Sequence, residues 1–109
     1  MVNASYPINR KPRGYRQQVV STVALALSAL PGGVPQGVTY AKILVETNAA
    51  RWRDDGIDPT TTVGMLATSA INREIELFSN EQIRNFRIIR DGATDAIVSV
   101  SYYSANKAY

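Results

Sequence analysis

The chain has 109 residues, 45% hydrophobic and 19% charged, with a net charge of +3, which suits one globular domain with a single modest core. It has no cysteine and no histidine, so disulfides, thiolate or imidazole zinc sites, and Ser-His-Asp or Cys-His catalysis are excluded. An enzyme would have to work with carboxylates, lysine or tyrosine alone, and the expectation is that the chain is not an enzyme.

The charge is unevenly placed. Up to Val45 there are five basic residues (Arg10, Lys11, Arg13, Arg16, Lys42) and no acidic one; from Glu46 onward seven basic residues stand against nine acidic ones. A basic first part on a mildly acidic body suggests a segment that seeks an acidic partner. The most apolar piece, Val19 to Leu30, is interrupted by Ser21, Thr22 and Ser28 and falls short of the ~20 residues that cross a bilayer. A soluble, unprocessed chain with no membrane partner is expected.

Residues 1–16 hold Pro7, Pro12, Gly14 and four positive charges without a repeating apolar face. Proline fixes φ and disfavours helix before it, so this segment reads as an extended basic arm, ordered by what it binds. Tyr6 and Tyr15 supply flat anchors. With Arg10, Lys11, Arg13 and Arg16 they form the candidate partner-binding set, and residues 17–109 form the expected domain.

Residues 17–27, rich in valine and leucine, predict two short strands or one bent strand, and the glycine and proline run at 31–37 predicts a loop. In 40–47, Ala41, Ile43 and Val45 share one face, the period of a strand. Asn48 permits a tight turn. A second strand then points Trp52 inward and Arg51 and Arg53 outward, which makes a hairpin. Asp54-Asp55-Gly56 is a turn signal, its aspartates within reach of both arginines, and Thr60 to Val63 is β-branched. Beyond lie an alternating 74–78, one turn of helix formers near 79–83, a strand at 85–90 and a hairpin signal at Asp91-Gly92. A closing strand places Ala96, Val98, Val100 and Tyr102 on one face, followed by a loose tail from Ser104. Seven or eight short strands with glycine turns indicate an all-β sandwich or barrel.

Chemistry is scarce. Asp54, Asp55 and Asp58 lack the spacing and distal glutamate of a calcium loop, and turn-forming aspartates explain them more simply. Nothing fixes the separation of Glu46, Asp54, Glu74 and Glu76 that glycoside hydrolysis requires. Trp52 reads as core rather than a sugar platform. Neither a phosphate loop nor a basic stripe for nucleic acid is present. No catalytic residue, cofactor, metal or nucleic-acid partner is expected; Trp52, Asp54, Asp55 and Gly56 read as core and turn.

The run VETNAARWRDDGIDPTTTVGM (45–65), followed by FRIIR (86–90) and VSVSYY (98–103), resembles small virion proteins of tailed bacteriophages, in particular head decoration or cement (staple) proteins. That resemblance implies a small jelly-roll-like β-sandwich on the capsid exterior, made in the bacterial host's cytoplasm. It further implies self-association, as a homodimer or another oligomer, and bridging of neighbouring major capsid subunits. No catalytic residues carry over. The alternative is a carbohydrate- or receptor-binding module displayed on the virion, as in a head fibre.

Overall fold

The computed structural model describes residues 9–106. Eight strands follow in order: β1 (Asn9–Val20), β2 (Leu25–Ala26), β3 (Tyr40–Thr47), β4 (Ala49–Arg53), β5 (Met65–Thr68), β6 (Glu74–Leu77), β7 (Arg87–Arg90) and β8 (Ala96–Asn106). A 3-10 turn (Leu27–Ala29) follows β2, and one short helix, α1 (Asn80–Asn85), joins β6 to β7. Ser79 caps that helix by accepting the Gln82 amide proton at 3.1 Å, which supplies an acceptor to an otherwise orphaned N–H.

The strands form two four-stranded sheets, a front sheet ordered β1-β8-β3-β6 and a back sheet ordered β2-β7-β4-β5. Every pairing is antiparallel. The order is nested: first strand beside last, second beside seventh, third beside sixth, fourth beside fifth.

Period-2 alternation builds the core. On β3, Ala41, Ile43 and Val45 are fully buried, and on β8 so are Ala96, Val98, Val100 and Tyr102. From the back sheet and α1 come Ala50, Ala67, Ile83, Phe86 and Ile88. Each such side chain removed from water contributes roughly 1.5–3 kcal/mol for the larger members. Trp52 points inward as expected, opposite Met65 and Ile88 and 5.6 Å from the Phe86 ring. It is half-buried, because β4 lies next to the edge strand β5.

The Tyr102 ring is fully buried, yet its hydroxyl finds no partner among the described residues. A buried unpaired hydroxyl costs more than its removal. Tyr102→Phe is therefore expected to leave stability unchanged or to raise it by up to about 1 kcal/mol. Chemical denaturation checks this, and a loss of more than about 1.5 kcal/mol would reveal a partner for that oxygen.

Three expectations are corrected. First, Asn9 to Arg16 are not an arm: they are the first two-thirds of β1, paired with β8 from Asn9 opposite Asn106 to Arg16 opposite Val100. The domain thus includes these residues and does not begin at 17; Tyr6 lies outside the described residues. Pro12 is tolerated because β1 is an edge strand, where a missing N–H breaks no ladder. The register shift between Pro12 and Gly14 absorbs the misfit as a bulge. The tail read from Ser104 is likewise strand, through Asn106.

Second, β3 and β4 do not form a hairpin. They lie in different sheets, and Asn48, at φ 62°, turns one bent strand from front to back. Asp91-Gly92 does the same between β7 and β8, with Gly92 at φ 66°. The two corners are tied together where Asn48 Nδ2 donates to the Asp95 carbonyl at 2.8 Å. Third, Thr60 to Val63 is not strand but a loop folded on the Thr60 hydroxyl, which accepts the Thr62 and Val63 amide protons.

Candidate partner-binding face

The outward face of the front sheet has the chemistry of a contact surface. Before the bulge, Arg10 and Pro12 stand opposite Ala105 and Tyr103; after it, Tyr15, Gln17 and Val19 stand opposite Ser101, Ser99 and Ile97. β3 adds Tyr40, Lys42, Leu44 and Glu46, and β6 adds Glu74 and Glu76, with Phe78 just past its end. An outer sheet face in water is usually polar. This one exposes Tyr15 (56%), Val19 (49%) and Phe78 (63%), with Leu44, Ile97 and Tyr103 half-buried between them. Apolar surface gathered in this way marks interaction sites.

One end of the face is an aromatic cluster. The Tyr40 ring lies 5.7 Å from Phe78 and 5.6 Å from Tyr103, both tilted, the geometry aromatic pairs favour. The Arg10 guanidinium sits 3.8 Å over the Tyr40 ring, a cation–π contact. The Tyr40 hydroxyl donates to the Glu76 carboxylate. A cleft of about 180 Å³ opens between Arg10, Thr39, Phe78 and Ala105. The middle of the face is held by a polar network. Tyr15 and Ser99 share a hydrogen bond of 2.8 Å, Ser99 donates to Glu46, and Gln17 Nε2 donates to Glu46 at 2.8 Å. Glu46 falls at the β3–β8 register shift, and its carboxylate lies over the sheet.

The basic residues expected to act together are divided by the strand's two faces. Arg10 and Tyr15 belong to the outer face. Arg16 turns the other way and is committed to its own chain: Nε donates to Gly33 O at 3.1 Å and Nη2 to Gly32 O at 3.2 Å. It also sits 5.8 Å over the buried Tyr102 ring. Gly32, at φ 86°, has no room for more, since a β-carbon there would lie 2.8 Å from Arg16 Nε. Arg16 is thus the clasp of the 31–37 loop. Arg13 Nε donates to Ser104 Oγ at 2.9 Å, and both Arg13 and Lys11 are exposed.

The back-sheet arginines are paired with loop aspartates: Arg51 with Asp91 at 2.7 Å, Arg53 with Asp55 at 2.5 Å, Arg87 with Asp58 at 3.7 Å and Arg90 with Asp95 at 2.6 Å. Only the Arg53–Asp55 pair matches the pairing expected within 51–55. Asp54 instead accepts Gln82 Nε2 at 2.8 Å, tying the β4 end to α1. Gly56, at φ 82°, gives its amide proton to Asn85 O. Hydrogen bonds from Arg53 hold the Asp55 carboxyl below the usual carboxylate range, and bonds from Arg90 and then Ser21 do the same for Asp95. Among the described residues no group of three or more Asp or Glu gathers to hold a metal. A cavity of about 310 Å³ lies between the 31–37 loop and α1, with Arg84 its charged member.

Two tyrosines make the fold sensitive to alkali. Burial, then the hydrogen bond and charge of Glu76, push the Tyr40 phenol to about 12, and burial alone pushes Tyr102 to about 12. The folded state therefore holds these protons more tightly than the unfolded chain, whose phenols titrate near 10. Their contribution is complete below pH 10 and is lost as pH rises from about 10 to about 12. Thermal melts across that window are expected to lose about 5 °C or more, and Tyr40→Phe should flatten the loss. A midpoint constant through pH 12 would contradict this.

Sequence reading missed the aromatic cluster, although the parity that put Ala41 and Tyr102 in the core put Tyr40 and Tyr103 outside. Comparison with protein-family profiles, curated proteins and solved structures gives no match.

Proposed function

We propose that this chain is a phage virion structural protein, a head decoration or cement protein that binds the capsid exterior and bridges neighbouring major capsid subunits. The observation that carries the proposal is the outer face of the front sheet. Its exposed Phe78, Tyr15 and Val19, with Arg10 and Lys42 on the same face, offer apolar anchors among charges, the composition of a protein-binding surface. The nested strand order supports it further, because it is the order of a jelly roll, an architecture used by viral capsid and lectin domains. Fold alone does not assign function; the sequence resemblance supplies the class and the face supplies a means. Heads purified without the protein and titrated with it should saturate at a fixed copy number and withstand higher temperature. Heads that take up none would refute the proposal.

A glycan- or receptor-binding reading has one specific observation in its favour. Tyr40, Tyr103 and Phe78 pack together beside a cleft edged by Arg10, and aromatic rings with nearby polar groups suit sugar rings. A glycan array with the isolated protein separates the two readings: binding abolished by Phe78→Ala supports this one, and an empty array removes it.

A further inference from the structure

We infer that β5 is a self-association edge, through which two copies pair antiparallel about a twofold axis to join their back sheets. The inference starts from the four outer strands, β1 and β6 in front and β2 and β5 behind. Open edges invite pairing, and proteins blunt them with charge, proline, bulges or brevity. β1 carries Arg10, Lys11, Pro12 and Arg13 and a bulge. β6 carries Glu74 and Glu76. β2 has only two residues. β5, Met-Leu-Ala-Thr, has none of these devices.

Symmetry selects a second copy as the occupant. In a twofold antiparallel pair, residues near the axis face their own counterparts, and like charges directly opposite destabilise. β1 would set cations against cations over Arg10 to Arg16, and β6 carboxylates against carboxylates. β5 sets neutral side chains against neutral ones along its whole length, with Leu66 at the axis.

The backbone is ready for it. Ser69 donates toward β4, to Asn48 O, and Thr68 donates the other way, to Ile71 O. Alternation therefore aims the Leu66 N–H and C=O away from β4, and paired copies would exchange two hydrogen bonds there. Around this point Val63 is 54% exposed, Met65 61%, Leu66 41% and Ile71 67%, apolar area that such pairing would cover. The joined back sheets leave both front faces open, so the dimer would present two copies of the capsid-binding face proposed above, a bivalent arrangement. The dimer itself does not depend on that proposal.

The full chain, analysed alone by sedimentation equilibrium over a wide concentration range, is expected to fit a monomer–dimer equilibrium. Leu66→Lys should weaken it roughly ten-fold or more, while Val23→Lys, at an exposed apolar site in the β1–β2 connection, should not change it. A second reading needs no variant: the Leu66 amide should exchange slowly at high concentration and fast on dilution. A chain that stays monomeric, or a dimer indifferent to Leu66→Lys with a fast-exchanging Leu66 amide, would overturn the inference.

Discussion

Deleting residues 1–16 lowers the melting midpoint by at least about 15 °C, or abolishes the cooperative transition, relative to the same chain cut after residue 8. The longer deletion removes the paired residues from Asn9 to Arg16 and uncovers one side of β8. It also removes the Arg16 clasp on Gly32 and Gly33 and the cover over the buried Tyr102 ring. Ladder hydrogen bonds are each worth about 1 kcal/mol net, against a total stability of roughly 5–15 kcal/mol for a domain of this kind. Circular dichroism melts of the two truncations measure the difference. Equal melts would mean that the first part of β1 does not belong to the fold. The same result governs how an N-terminal contribution to binding is tested: a cut at 16 removes part of β1 and probes folding.

Phe78→Ala reduces affinity for decoration-free heads by ten-fold or more, about 1.4 kcal/mol or above, while shifting the melting midpoint by no more than about 3 °C. The two effects separate because Phe78 is 63% exposed. Its removal opens no core cavity, yet aromatic anchors covered on binding commonly carry 2 kcal/mol or more. Arg10→Glu should weaken binding in the same direction by reversing the charge above Tyr40, and this loss should vary with salt. Titration of occupancy on heads, run beside thermal melts, provides both readouts. Unchanged occupancy in both variants would move the contact to another surface.

Much of the architecture was legible in the sequence. Alternation identified the buried faces of β3 and β8 residue by residue, and the wide spread of glycine turns announced an all-β domain. Period-2 patterning says which side of a strand is buried but not which sheet the strand joins. That is why Asn48 and Asp91-Gly92 read as hairpins when they are corners between sheets. Pro12 and Gly14 read as breakers because their local preferences are strong. At an edge those preferences do no harm, and only the tertiary partner β8 reveals the strand. Arg16 joined the basic cluster on composition alone; its partners, Gly32 and Gly33, depend on how the 31–37 loop folds back. Tyr40, Phe78 and Tyr103 lie far apart in the chain and meet only across β6, β3 and β8, so no local motif could have named them.

The proposed function requires the front sheet's outer face to be the surface that meets the capsid. A cryo-EM map of heads saturated with the protein tests this directly. The expected map places Phe78, Tyr40 and Arg10 against the major capsid protein, with the back sheet turned away. A map in which that face looks into solvent, with contact made through the back sheet or the 31–37 loop, would contradict it.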